Sequence, residues 1–220
     1  MNCFVCSSEK FSTFSETSYF GLPVYKCDNC KLFFTGNSES IKQKIEEYYR
    51  KEFWDIVGSE KALDSDFTDV DSKGKKRQWT SQYKYCKPYL QNKKKFLDIG
   101  AGSGQTMFWF EEIGFDVVGI EPDARNVERI NKKLRQGECH SGFIENFVHD
   151  EKYDIIWISH VLEHLINPVE FLKKIKSNLN ENGIVFVEVP NCSNKTILDL
   201  SIYKNPSHFT LLNIRYPNLQ

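Results

Sequence analysis

Three glycines lie within five positions of one another, directly behind an aspartate. Residues 96–104 read FLDIGAGSG, so Gly100, Gly102 and Gly104 follow Asp98 at the end of an apolar run. Backbone without side chains turns sharply and lets a ligand approach closely. A dinucleotide-binding loop has the spacing GxGxxG and holds a pyrophosphate at a helix N-terminus. The spacing here is GxGxG, and the charge of Asp98 repels phosphate, so the pattern favours a ligand with a cationic group.

A second acid follows at the end of the next apolar run. Glu121 lies seventeen positions beyond Gly104. A carboxylate at that place accepts hydrogen bonds from both hydroxyls of a ribose. An adenosine with an amino-acid tail in place of phosphates suits both acids, and that molecule is S-adenosylmethionine.

Four of the seven cysteines form two CxxC pairs, Cys3 with Cys6 and Cys27 with Cys30. Each pair presents two thiolates from a tight turn, and a tetrahedral zinc ion needs four. The spacing predicts a structural zinc ribbon, because four sulfur ligands leave no open position for catalysis. Metal binding would supply the folding free energy that so short a segment lacks. The alternative is four unliganded buried thiols; a redox dithiol would need only one pair.

Apolar runs alternate with amphipathic helical patterns from Lys93 onward, and the glycine loop lies within this alternation. The pattern predicts an α/β fold with a Rossmann-like, mainly parallel sheet and flanking helices. Ligands bind such sheets at the carboxyl ends of the strands. The predicted strands are 96–100, 115–121, 138–141, 153–159 and 184–189. The predicted helices are 105–113, one carrying Val127, Ile130 and Leu134, and one that starts at Pro168 and carries Val169, Leu172, Ile175 and Leu179.

We predict three domains: a zinc ribbon over 1–36, a helical linker and lid over 37–92, and an S-adenosylmethionine-binding domain over 93–220. Within the linker, helical stretches near 41–54 and 78–90 flank a loop over 58–76. Lysines and an arginine precede aromatic residues there, a combination that binds single-stranded RNA. More often, such a run is a solvated helix face with its aromatics turned to the core, and we favour that interpretation. These residues are Lys73, Lys75, Lys76 and Arg77, followed by Trp79, Tyr83 and Tyr85.

Bulk composition excludes several classes of protein. The 29 basic and 30 acidic side chains give a net charge of −1, so no global charge draws the chain to nucleic acid or an anionic membrane. No stretch approaches the roughly 20 apolar residues of a membrane span, and the first residues do not resemble a signal peptide. Seven cysteines, an odd number, favour metal over disulfides. We therefore expect a cytoplasmic protein.

With these motifs in this order, the chain resembles the class I S-adenosylmethionine-dependent methyltransferases, and more narrowly the members with an N-terminal zinc ribbon. The likeness extends from Lys95 to Asn191. It rests on FLDIGAGSG, GIEPDA (119–124), YDIIWISHVLEHLINP (153–168) and GIVFVEVPN (183–191).

The resemblance implies roles for individual residues. Asp98 and the backbone of Gly100, Ala101, Gly102 and Gly104 would hold the methionine part, and Glu121 with Pro122 the ribose. Phe143 and Ile144 would flank the adenine, although many relatives have an acid where Phe143 stands. Ser159 and His160 would lie near the sulfonium. Two alternatives stay open: Phe143 is a core residue, or Ser159 only ends its strand.

A general base is needed only for some acceptors, and histidine is the natural candidate near neutral pH. We name His160 and His208 as catalytic candidates and note His164 beside them. Glu163 and His164 also resemble a divalent-ion site of some relatives; helix packing and hydrogen bonding is the alternative that we favour.

Three functions fit the sequence. The first is methyl transfer to a small molecule such as a nucleotide-linked sugar or another cell-envelope precursor. The second is RNA methylation, with the ribbon and the basic cluster holding the substrate. The third is a non-catalytic S-adenosylmethionine-binding module.

The family's sheet normally ends with a helix and a hairpin that adds strands six and seven. Only 30 residues follow Pro190, whereas these elements take roughly 35 to 40. We therefore predict that strands six and seven are missing and that 184–189 forms an exposed edge. A longer natural chain, a partner subunit in a homodimer, or the last segment folded across it would cover that edge.

Overall fold

The computed structural model describes residues 1–18, 21–35, 46–52, 73–144, 151–165, 167–190 and 210–211. The chain divides into two units. One comprises Met1–Lys42, His160–Lys174 and Glu188–Gln220, and the other comprises Gln43–Ser159 and Ile175–Val187.

A five-stranded, mainly parallel sheet forms the centre of the second unit. In chain order its strands are β4 (Lys95–Ile99), β5 (Asp116–Glu121), β6 (Glu138–Ser141), β7 (Tyr153–Ser159) and β8 (Leu179–Glu188). Their spatial order is β6-β5-β4-β7-β8. The chain thus runs outward from β4 in one direction and then returns to the other side of it, which makes β4 the switch point of the sheet. The predicted α/β fold class is confirmed.

Aromatic side chains fill the core of this unit. Phe96 of β4 stacks on Phe110 at a centroid distance of 4.0 Å, and Trp157 of β7 stacks on Phe186 of β8 at 3.6 Å. Residues 155–158 of β7 are fully buried. A continuous apolar run is expected for a strand covered on both faces, and β7 confirms this expectation.

Three helices accompany these strands: α1 (Lys73–Cys86), α2 (Gln105–Glu112) and α3 (Ala124–Lys133). Trp79 of α1 packs on Trp109 and Phe110 of α2. The prediction that aromatics of this stretch turn to the core is therefore confirmed for Trp79. It is wrong for Tyr85, whose side chain is 74% exposed. The predicted loop is also too long, because α1 begins at Lys73.

Helix α4 (Pro168–Ile175) begins where the sequence predicted, with the side chain of Asn167 accepting a hydrogen bond from the backbone N–H of Glu170. The predicted end is wrong, because a short 3₁₀ turn (Lys176–Asn178) follows and Leu179 starts β8. Leu179 fits both the helical and the strand periodicity, so the sequence pattern alone did not show where the helix ends and the strand begins.

The first unit contains the cysteine segment. Strands β1 (Phe11–Ser15), β2 (Val24–Cys27) and β3 (Phe33–Thr35) form an antiparallel sheet. A two-residue strand, β9 (Thr210–Leu211), pairs antiparallel with β3. Phe34 packs among Phe4, Phe11 and Tyr25 to give this unit a small aromatic core.

In the part of the chain that the structure describes, the sheet of the second unit has five strands, and β8 is one of its edges. Val185 and Val187 on β8 are 37% and 41% exposed. Half of the predicted helix near 41–54 and most of the loop over 58–76 lie outside the described residues; the described part of that helix contains a π-helical turn (Tyr48–Glu52). No helix in the described ranges has the length and apolarity needed to cross a bilayer.

Candidate functional site

The glycine loop after β4 is tied to the neighbouring strand β5. The backbone N–H groups of Gly100 and Ala101 both donate to the carbonyl of Ile120, at 2.9 and 3.0 Å. Gly102 has a φ of +58°, a conformation that other residues adopt only at a cost. In that conformation its N–H donates to Oε2 of Glu121 at 2.9 Å. The loop and the acid at the end of β5 therefore form one hydrogen-bonded unit.

Glu121 links three segments at this edge of the sheet. Besides the bond from Gly102, its Oε1 accepts a hydrogen bond from the N–H of Asp123 at 3.2 Å. Its backbone carbonyl accepts one from Gly142 at 3.1 Å. The side chain is buried, and a carboxylate has two oxygens that each accept hydrogen bonds. A ligand hydroxyl is a suitable donor to such a group.

Asp98 lies in β4, one residue before the strand ends, and is 3% exposed. Burial, with a contribution from the nearby charge of Glu121, raises the pKa of its carboxyl from 3.8 to about 8. Two buried acids on adjacent strands oppose each other's ionisation, and a bound cation would relieve that repulsion. The pair therefore suits a ligand with one positive charge and neighbouring hydroxyl groups, and it is unsuited to a diphosphate.

Gly104 allows helix α2 to start close to helix α3. Its φ is +75°, and a Cβ placed there would come within 2.6 Å of Cγ1 of Ile130 on α3. The third glycine of the motif thus permits close helix packing, although the spacing of the motif differs from that of dinucleotide-binding loops.

Strand register brings the other predicted ligand-contacting residues to the same edge. Glu121 pairs with Ser141 of β6, and Ile99 pairs with Ile158 of β7. Phe143 and Ile144 therefore follow the end of β6 next to Glu121, and Ser159 ends β7 level with the start of the glycine loop. Ile144 is buried, whereas Pro122, Phe143 and Ser159 are half-buried. The structure thus gathers all ten predicted cofactor-contacting residues at the carboxyl ends of four adjacent strands.

Sequence reasoning missed one neighbour of this edge. The guanidinium carbon of Arg50, in the π-helical turn, lies 5.1 Å from the centroid of the Phe143 ring. Nothing in the local sequence distinguishes Arg50 from an ordinary surface cation, because the contact joins segments that are far apart in the chain.

His160 belongs to the first unit and pairs with acids there. It has a φ of +55°, and its backbone N–H donates to the carbonyl of Glu188 at 2.8 Å. Its Nδ1 lies 3.4 Å from Oε1 of Glu163, which is almost fully buried, and its Nε2 lies 4.0 Å from Oε2 of Glu188. The carboxylate of Glu163 raises the pKa of His160 above 6.5, with a smaller contribution from Glu188.

Burial is the largest influence on Glu163 and opposes its ionisation, but the contact with His160 and the charge of His164 together outweigh it, and the pKa of Glu163 is lowered. Nε2 of His164 is 3.9 Å from the same carboxylate. Glu163 therefore lies between two imidazoles, with its Oε1 near both. The other catalytic candidate, His208, lies outside the described residues.

Four cysteine sulfur atoms converge in the first unit. The Sγ atoms of Cys3, Cys6, Cys27 and Cys30 all lie within 4.8 Å of one another, with Cys3 and Cys30 at 3.4 Å. Tetrahedral zinc with bonds of about 2.3 Å needs sulfur atoms roughly 3.8 Å apart. Over the described ranges this is the only cluster of three or more metal-ligating side chains. The donor set and its spacing fit zinc.

The two CxxC turns have the same backbone. The N–H of Ser7 donates to the carbonyl of Cys3, and the N–H of Lys31 donates to that of Cys27. Ser7 and Lys31 have φ values of +56° and +65°. Each turn thus uses a left-handed residue directly after its second cysteine.

Comparison with known proteins supplies the family. A family model described as a methyltransferase domain matches residues 72–217. The tRNA U34 carboxymethyltransferase of Campylobacter hominis is 32% identical over 120 residues, which cover 50% of this chain and 42% of that protein. A ubiquinone biosynthesis O-methyltransferase of Bradyrhizobium sp. is 27% identical over 118 residues, covering 48% and 47%. The chain thus spans somewhat less than half the length of these curated relatives.

Among solved structures, the plantazolicin methyltransferase BpumL in complex with SAH is similar to this chain, with a TM-score of 0.55 and 22% identity. The match covers 74% of this chain and 66% of that protein. At this identity the likeness supports the shared fold, and the chemistry has to be argued from the residues described above.

Proposed function

Since this chain belongs to the methyltransferase domain family, we propose that it binds S-adenosylmethionine at the glycine-loop edge and methylates a small-molecule acceptor. The observation that carries the proposal is the buried acid pair. Asp98 lies one residue before the end of β4 and Glu121 ends the adjacent β5, beside a loop of left-handed glycines. This arrangement suits the ammonium and ribose groups of that nucleoside and disfavours the phosphates of a dinucleotide.

Each residue at the edge has a proposed part. The carboxylate of Asp98 accepts hydrogen bonds from the ammonium group, and Glu121 accepts them from the ribose hydroxyls. The backbone of Gly100, Ala101, Gly102 and Gly104 encloses the methionine part, with Pro122 beside the ribose. Phe143 and Ile144 lie against the adenine, and Ser159 ends its strand beside the reacting group.

When bound, S-adenosylmethionine supplies a methyl group that its sulfonium activates for transfer. The chain's own contribution is to align the groups and to exclude water, effects that intramolecular reactions show to be worth effective molarities of about 10⁵ to 10⁸ M. His160 directly follows Ser159 in the chain and is our candidate for the general base. Glu163 would orient its imidazole and stabilise the proton that it accepts.

Small molecules are the acceptor class that we favour, with nucleotide-linked sugars and other cell-envelope precursors as the first candidates. The formal charge of −1 gives no general attraction to polyanions. The similarity to a ubiquinone biosynthesis O-methyltransferase supports the same acceptor class. The four-cysteine ribbon has a structural part in this proposal, holding one zinc ion.

The experiment is a transfer assay with S-adenosylmethionine labelled in the methyl group. Panels of nucleotide-linked sugars, phenols and bulk tRNA serve as acceptors, and Asp98→Asn serves as the inactive control. Transfer of the labelled methyl group to a compound of the small-molecule panels, with no transfer by Asp98→Asn, supports the proposal. Label in tRNA alone would overturn the acceptor class, and cofactor binding without transfer to any panel would indicate a non-catalytic binding module.

A specific observation favours RNA as a second candidate acceptor. The stretch 73–95 carries nine lysines and arginines and no acid. Tyr85 and Tyr89 are 74% and 61% exposed, and residues next to them in the chain line an open groove. Exposed aromatics among cations stack on and neutralise single-stranded RNA. The groove is lined by Tyr83, Lys84, Lys87, Pro88, Leu90 and Gln91.

RNA binding through this stretch predicts a steep loss of affinity with salt. The measurement is fluorescence anisotropy with a single-stranded RNA at several salt concentrations. Lys84→Glu with Lys87→Glu should remove binding, whereas Lys152→Glu with Lys176→Glu, two exposed lysines elsewhere, should have little effect. Binding that is absent at low salt, or insensitive to Lys84 and Lys87, would eliminate RNA as the acceptor.

A further inference from the structure

A π-helical turn places a cation on the face of an aromatic ring at the candidate site. Tyr48–Glu52 forms the turn, and the guanidinium carbon of Arg50 lies 5.1 Å from the ring centroid of Phe143. π-Helical turns are rare and occur frequently at functional sites. A guanidinium is planar and stacks on aromatic faces, so one face of Phe143 is engaged by Arg50.

Phe143 is held beside Glu121 by the backbone. The strand pair β5–β6 aligns Glu121 with Ser141, and the N–H of Gly142 donates to the carbonyl of Glu121 at 3.1 Å. Ile144, which follows, is 8% exposed and anchors the segment in the core. The ring of Phe143 is only half-buried, so part of it is available to a ligand at this edge.

We propose that Arg50 is a positioning residue for the adenine group, holding the Phe143 ring so that its remaining surface stacks on the base. This inference rests on the proposed binding of S-adenosylmethionine at the same edge. Arg50 acts through Phe143 and makes no direct contact with the reacting atoms. An aromatic ring that is fixed before binding loses less rotational freedom when the base stacks on it, which improves affinity.

The test is calorimetric titration with S-adenosylhomocysteine and with adenosine alone. Arg50→Ala should weaken both ligands by about 2- to 5-fold, the range of an exposed cation–π contact. Phe143→Ala should weaken both by about 5- to 150-fold, the range of a lost base–aromatic stack. Arg50→Lys keeps the cation and should recover part of the loss. Arg77→Ala, an exposed arginine of α1, is the matched control and should have no effect.

The decisive measurement is the double variant. If Arg50 acts through Phe143, then Arg50→Ala costs nothing further in the Phe143→Ala background. Equal losses in both backgrounds would overturn the inference, since Arg50 would then act independently of the ring. Unchanged affinity in both single variants would overturn it as well. Should Arg50→Ala fail to fold, Arg50→Gln and Arg50→Lys provide the same comparison.

Failure of this inference is distinguishable from failure of the proposed function. Wild-type protein that binds neither ligand contradicts the proposed function and the inference with it. Wild-type binding that Glu121→Gln weakens, but that Arg50→Ala and Phe143→Ala leave intact, retains the proposed function and excludes the positioning role.

Discussion

Asp98 combines burial with a titration range close to neutrality. Its pKa of about 8 means that the ligand-free protein holds the carboxyl protonated at pH 6. Binding an ammonium group requires the carboxylate, so the affinity for S-adenosylmethionine should rise by up to about tenfold per pH unit between pH 5.5 and 7.5. Calorimetric titration at several pH values measures this change in affinity. The proton released on binding is detected by comparing the binding enthalpy in buffers of different ionisation enthalpy. Adenosine, which has no ammonium group, should show no such dependence.

The same shift has a consequence for stability. The folded pKa of Asp98 lies above its ordinary value of 3.8, so the favourable contribution of the protonated form is present at low pH and is lost as pH rises through about 8. Asp98→Asn should therefore stabilise the ligand-free protein at pH 8, by about 1–3 kcal/mol, while it removes the pH dependence of binding. Chemical denaturation measures the difference, and a destabilised variant would contradict this account of Asp98.

Glu163 sets the protonation of His160. We expect Glu163→Gln to lower the pKa of His160, because the imidazolium loses the anion 3.4 Å from its Nδ1. Glu188→Gln is the matched control and should have a smaller effect, since that acid is more distant and more exposed. NMR titration of the imidazole resonances reports both. A pKa of His160 that does not respond to Glu163→Gln would refute the pairing.

At the scale of elements, two strands of the parallel sheet could be predicted with their bounds. Glu138–Ser141 and Tyr153–Ser159 have the limits that the sequence indicates. The glycine loop and its acids were equally evident, because strained backbone and buried charge restrict residue type. The CxxC turns were predicted as metal ligands by spacing alone, and their sulfur atoms do converge.

Contacts between segments that are far apart in the chain could not be predicted from the sequence. Arg50 meets Phe143, and the carboxylate of Glu111 accepts hydrogen bonds from the backbone of residues 135–137. Neither acid nor cation differs in its local sequence from an ordinary surface residue. The early end of α4 was missed for a related reason, since tertiary pairing of β8 decides where Leu179 belongs.

We expect the fold of the cysteine ribbon to depend on bound metal. We expect one zinc ion per chain, and we expect Cys27→Ser or a strong chelator to remove it and to abolish amide exchange protection over 1–35. Elemental analysis and hydrogen exchange measure the two effects. Cys86→Ser is the control, because Cys86 is a buried thiol outside the cluster. Full zinc content in Cys27→Ser, or unchanged protection without metal, would contradict the site.

The whole molecule presents β8 as an edge with two exposed valines in the part that the structure describes. An apolar edge strand is a template for pairing with another chain. We expect this 220-residue chain to self-associate in solution and Val185→Lys with Val187→Lys to reduce the association without loss of cofactor affinity. Light scattering after size exclusion measures the mass. Phe14→Lys, at an exposed aromatic on β1, is the control; a monomer at every concentration would contradict the expectation.

The most direct test of the central claim is calorimetric titration of the wild-type chain with S-adenosylmethionine and with NAD, repeated on Glu121→Gln and Glu121→Ala. We predict one S-adenosylmethionine per chain, no NAD binding, and a loss of about 10-fold or more in both variants, since each removes charge-assisted hydrogen bonds. Glu128→Ala, an exposed acid on α3, should bind like the wild type. Tight NAD binding with no response to S-adenosylmethionine would contradict the account.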